Sequence, residues 1–306
     1  MQTAIEIPLL CWEGATLDAC ARYRALPLGA PCADYAAANL YMWDEKYKKQ
    51  IAFVGGRAAV RIRRAEGGYH YLFPVGEGDP VPVLLALERD AASRGERLCF
   101  VGVAQNELDL LQQLWGDALQ ITEMRDWEDY LYDAEKLSTL SGKKLHAKRN
   151  HINAFCAAHD WRVEPLVPER FEDCMEILQK WQEERAGEMT EEMSEEAQAI
   201  ERGFAAWKAL DLEGILLYAD GEPAAFAIGS RITSECFGVH FEKASPDFEG
   251  AYPLINREFV RAMREKHPQI TTVNREEDMG LPNLRAAKLS WRPAALLTKY
   301  GICLIN

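Results

Sequence analysis

One order of predicted elements occurs twice along this chain, and that repetition constrains the fold more than any single motif. In the first third, "QIAFVGG" and "AAVRIRR" flank Gly55 and Gly56 and read as a β-hairpin, followed by a strand in "GGYHYLFPV". An amphipathic helix "DPVPVLLALERDAASRG", a buried strand "RLCFVGV", a helix "NELDLLQQLWG" and a strand near "ALQITEM" come next. The last third begins with a hairpin, "GILLYADGEPAAFAIGSRI", with Gly221 at its turn, and a third strand, "SECFGVHFEKA". It continues with helix "YPLINREFVRAMREKH", strand "ITTVNRE", helix "LPNLRAAKLSW" and a closing strand in "PAALLTKYGICLI". The two main helices start alike, "EGDPVPVLLAL" beside "FEGAYPLINREF", each with a Gly and then a Pro near the first turn. The expectation is two β-rich α/β units, 1–135 and 136–306, with a helical connection near 135–210.

A chain of 306 residues has room for two such units. No window approaches the roughly 20 apolar residues of a membrane span, so no stable membrane insertion is expected. The N-terminus, "MQTAIEIPLLCWEGATL", lacks the marks of a secretory signal, which predicts a soluble cytoplasmic protein. The net charge of -13 repels duplex DNA and anionic surfaces overall. The eight cysteines, at 11, 20, 32, 99, 156, 174, 236 and 303, form no C-x-x-C, so free buried thiols are expected rather than metal ligands or disulfides.

Against this acidic background, "LSGKKLHAKRNHINAF" (Leu140 to Phe155) concentrates Lys143, Lys144, Lys148 and Arg149 without a carboxylate. A helix over 142–158 gathers Leu145, Ile152 and Cys156, with Phe155 alongside, into an apolar docking stripe. Lys144, Lys148 and His151 form a second row, and Ser141 is a candidate N-cap. Cations at a helix start oppose the dipole, which points to an anionic partner. That partner is either a ligand phosphate or the chain's own Glu-rich stretch from Trp181 to Phe204, which has eight Glu and two Arg. The stretch itself reads either as an anionic lid for a cationic acceptor or as a solvated helix pair.

Hairpin, third strand, helix, strand, helix and closing strand is the element order of the GNAT-type acyltransferase fold. "LSGKKLHAKRNHINAF", "HFEKASPDFEGAYPLINREF" and "VNREEDMGLPNLRAAKLSWRP" resemble the motifs of a bacterial family related to the C-terminal domain of phosphatidylglycerol lysyltransferases. More distantly, that family is similar to Fem-type aminoacyltransferases. The resemblance covers nearly the whole chain and implies a tandem GNAT-like fold of the α/β (α+β) class. Each unit would have a mixed, mostly antiparallel sheet with helices on both faces. It also implies an acyl- or aminoacyl-transfer site, with acyl-CoA or aminoacyl-tRNA as the donor. A small-molecule or aminoacyl donor and a tRNA acceptor end are the partners it suggests.

In such a fold the donor lies where two central strands part, and its phosphates meet the start of the next helix, where backbone N–H groups are unpaired. Here that start is "FEGAYPLINREF", with Gly250 permitting close approach and Asn256 and Arg257 farther in. It departs from the CoA-binding pattern Arg/Gln-x-x-Gly-x-Gly/Ala, having one glycine and Glu249 beside it. The plainer reading is a loop-to-helix turn that needs Gly.

"NREEDMG" follows the next strand: Asn274 is a candidate for a donor amide, and Arg275, Glu276 and Asp278 add charge. One of its acids, Asp278 or a neighbour, would serve as a cap in the structural reading. On "GVHFEKA", alternation puts Val239 and Phe241 on one face and His240 and Glu242 together on the other. Glu242 or Glu276 is the candidate base, Tyr300 a candidate proton donor, and Lys144, Lys148, Arg149 and Lys288 candidate anion ligands. No residue set has metal-ligand spacing.

Three functions fit these residues. The first is aminoacyl or N-acyl transfer to an amine or hydroxyl in the C-terminal copy, the N-terminal copy being degenerate. The others are CoA-dependent N-acetyl transfer and a non-catalytic ligand-binding module on the same fold.

Overall fold

The computed structural model describes residues 6–185 and 191–305, which divide into two compact units. The first comprises Met1–Asp129 with Leu297–Asn306, and the second Tyr130–Leu296. The part of the Glu-rich stretch at 186–190, and the side chains of Glu191 and Glu192, lie outside the described residues.

The first unit opens with β1 (Glu13–Gly14), α1 (Leu17–Arg24), α2 (Ala37–Met42) and α3 (Asp44–Tyr47), three short helices that the repeat does not contain. The Thr16 Oγ1 accepts the Ala19 N–H and caps α1. The expected hairpin is β2 (Gln50–Val54) and β3 (Arg57–Arg63), turned by Gly55 and Gly56 at φ 57° and 77°. Positive φ at both turn residues matches the strand twist, which is why the pair is glycine. β4 (Tyr69–Tyr71), β5 (Val75–Gly76), α4 (Val81–Ser93), β6 (Cys99–Val103), α5 (Gln105–Trp115) and β7 (Leu119–Glu123) follow as expected.

The second unit runs β8 (Asp129–Asp133), α6 (Ala134–Thr139), α7 (His146–Ala158), β9 (Trp161–Pro165), α8 (Phe171–Glu184) and α9 (Glu191–Ala205). Its hairpin is β10 (Glu213–Ala219) and β11 (Glu222–Arg231), followed by β12 (Cys236–Ala244), α10 (Ala251–Lys266), β13 (Thr272–Asn274), α11 (Pro282–Ser290) and β14 (Ala295–Leu297). The sheet order is β14-β8-β13-β12-β11-β10-β9; β9 to β12 pair antiparallel, as do β13 and β8, while β12 and β13 are parallel. Leu254, Ile255, Phe259 and Val260 of α10 pack on Ile215, Leu217, Ala225, Ala227, Phe237 and Val239 of the sheet.

The closing strand differs from expectation. β15 (Tyr300–Leu304) belongs to the first sheet, ordered β1-β2-β3-β4-β6-β15-β7, where it is antiparallel to both neighbours. In the second sheet the corresponding place, between β13 and β14, is taken by β8, which periodicity had not revealed. The expectation of free thiols is corrected at the same point: β15 sets Cys303 opposite Cys99 on β6, and the two form a disulfide across 204 residues. Cys11, Cys20, Cys32, Cys156, Cys174 and Cys236 are free.

The basic segment folds as a 3-10 turn over Lys143–Leu145 continued by α7. Its predicted stripe is real: Leu145, Ile152 and Phe155 are buried in the α10 cluster, with Cys156 packed at its edge. Full burial of each such side chain is worth about 2 kcal/mol, enough to dock the helix despite its charges. Ser141 is not the cap. The Arg149 guanidinium instead donates to the carbonyls of Leu140 and, at 2.8 Å, Gly142.

Candidate active site

β12 and β13 stay together for three residue pairs, Cys236↔Thr272, Phe237↔Val273 and Gly238↔Asn274. β13 then stops while β12 continues to Ala244, so their backbone pairing ends in a crevice that only side chains bridge. The chain turns out of β13 because Asn274, fully buried, accepts the Glu276 N–H on Oδ1 at 2.7 Å. Glu276 is held at φ 57°, a left-handed conformation rare for residues other than Gly and Asn. Asn274 thus shapes the turn with the oxygen that a donor amide would have used.

Two consecutive residues past this turn reach back to β12. Arg275 donates to Glu242 Oε1 at 3.0 Å, and Glu276 Oε1 lies 2.9 Å from His240 Nδ1. Strict alternation put His240 and Glu242 on one face, and the structure corrects this. β12 carries a bulge at His240, between the pairs Ile228↔Phe241 and Gly229↔Val239. Glu242 therefore sits opposite Ala227 on the face covered by α10, where Asn256 Nδ2 donates to its Oε2 at 2.9 Å. His240 turns to the other face and meets Ser230 Oγ through Nε2 at 2.8 Å.

Lys148 of the basic helix reaches the α10 face of this crevice. Its ammonium lies 4.6 Å from the centre of the Trp291 ring, and the Arg275 guanidinium lies 5.3 Å from the same ring. Tyr132 borders Arg275 at 5.6 Å. Partial burial and the neighbouring Arg275 charge push the Lys148 pKa down, against the opposing pull of Glu242. Two cations thus share one aromatic plate with a single carboxylate, that of Glu242, to offset them, an arrangement that attracts an anion. Arg275 Nη1 and Asn256 Oδ1 are buried without a hydrogen-bond partner in the protein. An unmet buried polar group costs about 1–3 kcal/mol, so both atoms are unspent hydrogen-bonding capacity beside the crevice.

The remaining candidates do structural work or lie elsewhere. Asp278 is fully buried and accepts from Arg285 at 2.8 Å, from Tyr130 and from the Gly280 N–H at 2.9 Å. Burial pushes its pKa up, but the hydrogen bonds from Arg285, Tyr130 and Gly280 outweigh that and hold it below the usual carboxylate range. Lys288 donates to the Arg275 carbonyl and so braces the turn. Gly250 has φ 92°, and a Cβ there would lie 2.9 Å from the His151 carbonyl oxygen. The close approach it permits is made by α7. Arg257 pairs with its neighbour Glu258 at 2.7 Å, and Lys144 is exposed on the 3-10 turn. Tyr300 lies on β15 in the first unit, where its hydroxyl donates to Gln105 at 2.9 Å.

Among the described residues, neither Lys148 nor Arg149 pairs with the Glu-rich stretch: Glu196 pairs with Lys243, at 2.7 Å. A separate groove of about 600 Å³ between α8 and α9 is lined by Glu172, Glu176 and Glu201 and contains none of the residues proposed from sequence. Among the described residues, no group of three or more His, Cys, Asp or Glu is placed to hold a metal ion. Sequence reasoning missed Ser230, Tyr132 and Trp291. Trp291 lay inside the quoted "KLSWRP", and a tryptophan three residues after Lys288, on the same side of the helix, was the available signal.

Residues 29–303 match the family described as phosphatidylglycerol lysyltransferase, C-terminal. The chain belongs to this family. A conserved protein of unknown function from Bacteroides thetaiotaomicron is 34% identical, with a TM-score of 0.91 over 97% of this chain and all of that one. FemX superposes with a TM-score of 0.62 at 11% identity, covering 97% of each chain. L-PGS from Bacillus licheniformis gives 0.59 at 15% identity, over 95% of this chain and 91% of that one. At such identities the last two show the fold, a tandem GNAT-like one. Family and fold together relate the chain to acyltransferases. Among the described residues, no helix is long and apolar enough to cross a membrane.

Proposed function

We propose that the crevice of the second unit transfers an acyl or aminoacyl group from a phosphate-bearing donor to an amine or hydroxyl acceptor. The observation that carries this reading is the corner made by Lys148, Arg275 and Trp291, with a buried Arg275 Nη1 awaiting an acceptor. It lies where β12 and β13 part, beside the Glu242 carboxylate, with Glu276 following Arg275 on the other face of the sheet. An anionic donor group held there would bring its acyl carbon to the place where the strands part, between the two faces, which supplies proximity as well as charge.

Family membership supports an aminoacyl donor, since lysyl transfer is what the family's name describes. CoA is the less favoured donor. Its diphosphate would need the start of α10, and the space that Gly250 leaves there is occupied by the backbone of α7. The test is transfer of a labelled group from lysyl-tRNA and from acetyl-CoA to a panel of amines and alcohols. Transfer from lysyl-tRNA is the expected outcome. Tight binding of both donors with no transfer to any acceptor would contradict the reading and favour a ligand-binding module.

A further inference from the structure

Three side chains from three elements form a continuous hydrogen-bonded row at the base of the crevice. Ser230 near the end of β11 lies 2.8 Å from His240 Nε2, and Glu276 Oε1 lies 2.9 Å from His240 Nδ1. Hydroxyl, imidazole and carboxylate meet in the atomic order of a serine-hydrolase triad. The exposures run in the opposite sense. Ser230 is 5% exposed and the His240 side chain 0%, whereas the Glu276 side chain retains 19%. In a nucleophilic triad the hydroxyl faces substrate and the acid is hidden; here the carboxylate is the most exposed of the three.

The protonation pattern follows from the partners. When the ring is neutral, the nitrogen turned to the carboxylate, Nδ1, carries its proton, and Nε2 accepts the Ser230 hydroxyl. Glu276 is thereby held by a ring N–H that is itself backed by a buried hydroxyl. Glu242 sits on the other face, where Arg275 donates to one of its oxygens and Asn256 to the other. The Glu276 backbone is fixed too, its N–H on Asn274 Oδ1 at 2.7 Å and its carbonyl accepting from the Tyr130 N–H at 3.1 Å. A non-glycine residue kept at φ 57° by contacts on both sides carries local strain of the kind found at working sites.

We infer that Glu276 takes the proton from the acceptor nucleophile, and that His240 and Ser230 are positioning residues that aim its carboxylate. This rests on the crevice being an acyl-transfer site, and it places proton removal on the sheet face opposite the Lys148–Arg275 corner. The acceptor's lone pair attacks the donor's acyl carbon, forming a new C–N or C–O bond. The bond from that carbon to the donor's oxygen or sulfur breaks, its electron pair leaving with that atom. The nucleophile's proton passes to Glu276, and from there to the leaving group.

The test uses the full chain, with lysyl-tRNA and acetyl-CoA as donors and lysine amide, spermidine and detergent-dispersed phosphatidylglycerol as acceptors. Glu276→Gln should lower kcat by about 100-fold or more, with the donor KM little changed, as expected for a lost general base. Formate should restore turnover to Glu276→Ala and not to Lys148→Ala. Ser230→Ala and His240→Ala should each lower kcat in protein that remains folded. His240→Asn, whose amide can replace the Nδ1–H, should recover part of that loss. Full kcat in Glu276→Gln, no rescue by formate, or an acyl adduct on Ser230 in acid-quenched peptides would each overturn the inference. Wild-type protein inactive with every pair would instead contradict the acyl-transfer reading on which it rests.

Discussion

Adjacent residues of like charge do different work here. Lys148 leans over Trp291 into the crevice, while Arg149 turns back to tie down the start of its own helix. Composition revealed the cluster but not the division, because a one-residue step on a helix rotates the side chain by about 100°. Asn274, Asp278 and Lys288 were legible as polar residues at a strand end, yet each is spent on holding the turn that displays Arg275 and Glu276. A residue-scale prediction concerns Glu107 in the first unit. Burial raises its pKa to about 7, against hydrogen bonds from the Ala104 N–H and Tyr35 that lower it. The folded pKa lies above the unfolded one, so its contribution is complete below about pH 4.5 and is lost as pH rises through 7. Glu107→Gln, which keeps an acceptor for both partners, should therefore stabilise the protein at pH 8 and not at pH 4. The difference should be on the order of 3 kcal/mol at most, measured by chemical denaturation at both values.

At the scale of elements, the hairpins were the most legible part, because Gly55-Gly56 and Gly221 mark turns whose backbone other residues avoid. The apolar stripe of α7 was equally plain. The bulge at His240 was not: one extra residue in β12 leaves no mark in an alternating pattern, yet it moves His240 and Glu242 to opposite faces. The role of Gly250 was misread for a related reason. A glycine signals that something approaches closely but does not say what, and here it is the His151 carbonyl. Gly250→Ala forces a Cβ to 2.9 Å from that oxygen at φ 92° and should destabilise the second unit by about 1–3 kcal/mol. Thermal unfolding checks this; an unchanged midpoint would mean that α7 moves away freely.

For the molecule as a whole, the doubled order of elements gave the fold class, while the sheet that β8 and β15 each join stayed hidden. β8 and β15 are both short, and hydrophobic patterning says that a strand is buried without saying in which sheet. The same blindness hid the disulfide, since Cys99 and Cys303 become neighbours only once β15 lies beside β6. That bond closes a loop of 204 residues, and Cys303→Ser should cost the first unit about 2–4 kcal/mol under oxidising conditions and nothing under reducing ones. Equal stability in both conditions would show that strand pairing alone holds β15 in place.

The central claim, that Lys148 and Arg275 form the donor's anion site, is tested most directly by measuring lysyl-tRNA affinity against salt for wild type, Lys148→Ala with Arg275→Ala, and Arg149→Ala. The double variant should bind at least about ten-fold more weakly and with a shallower salt dependence, by about two counterions. Arg149→Ala should match wild type in both respects while unfolding more readily. Wild-type affinity and salt slope in the double variant, or their loss in Arg149→Ala alone, would contradict the account.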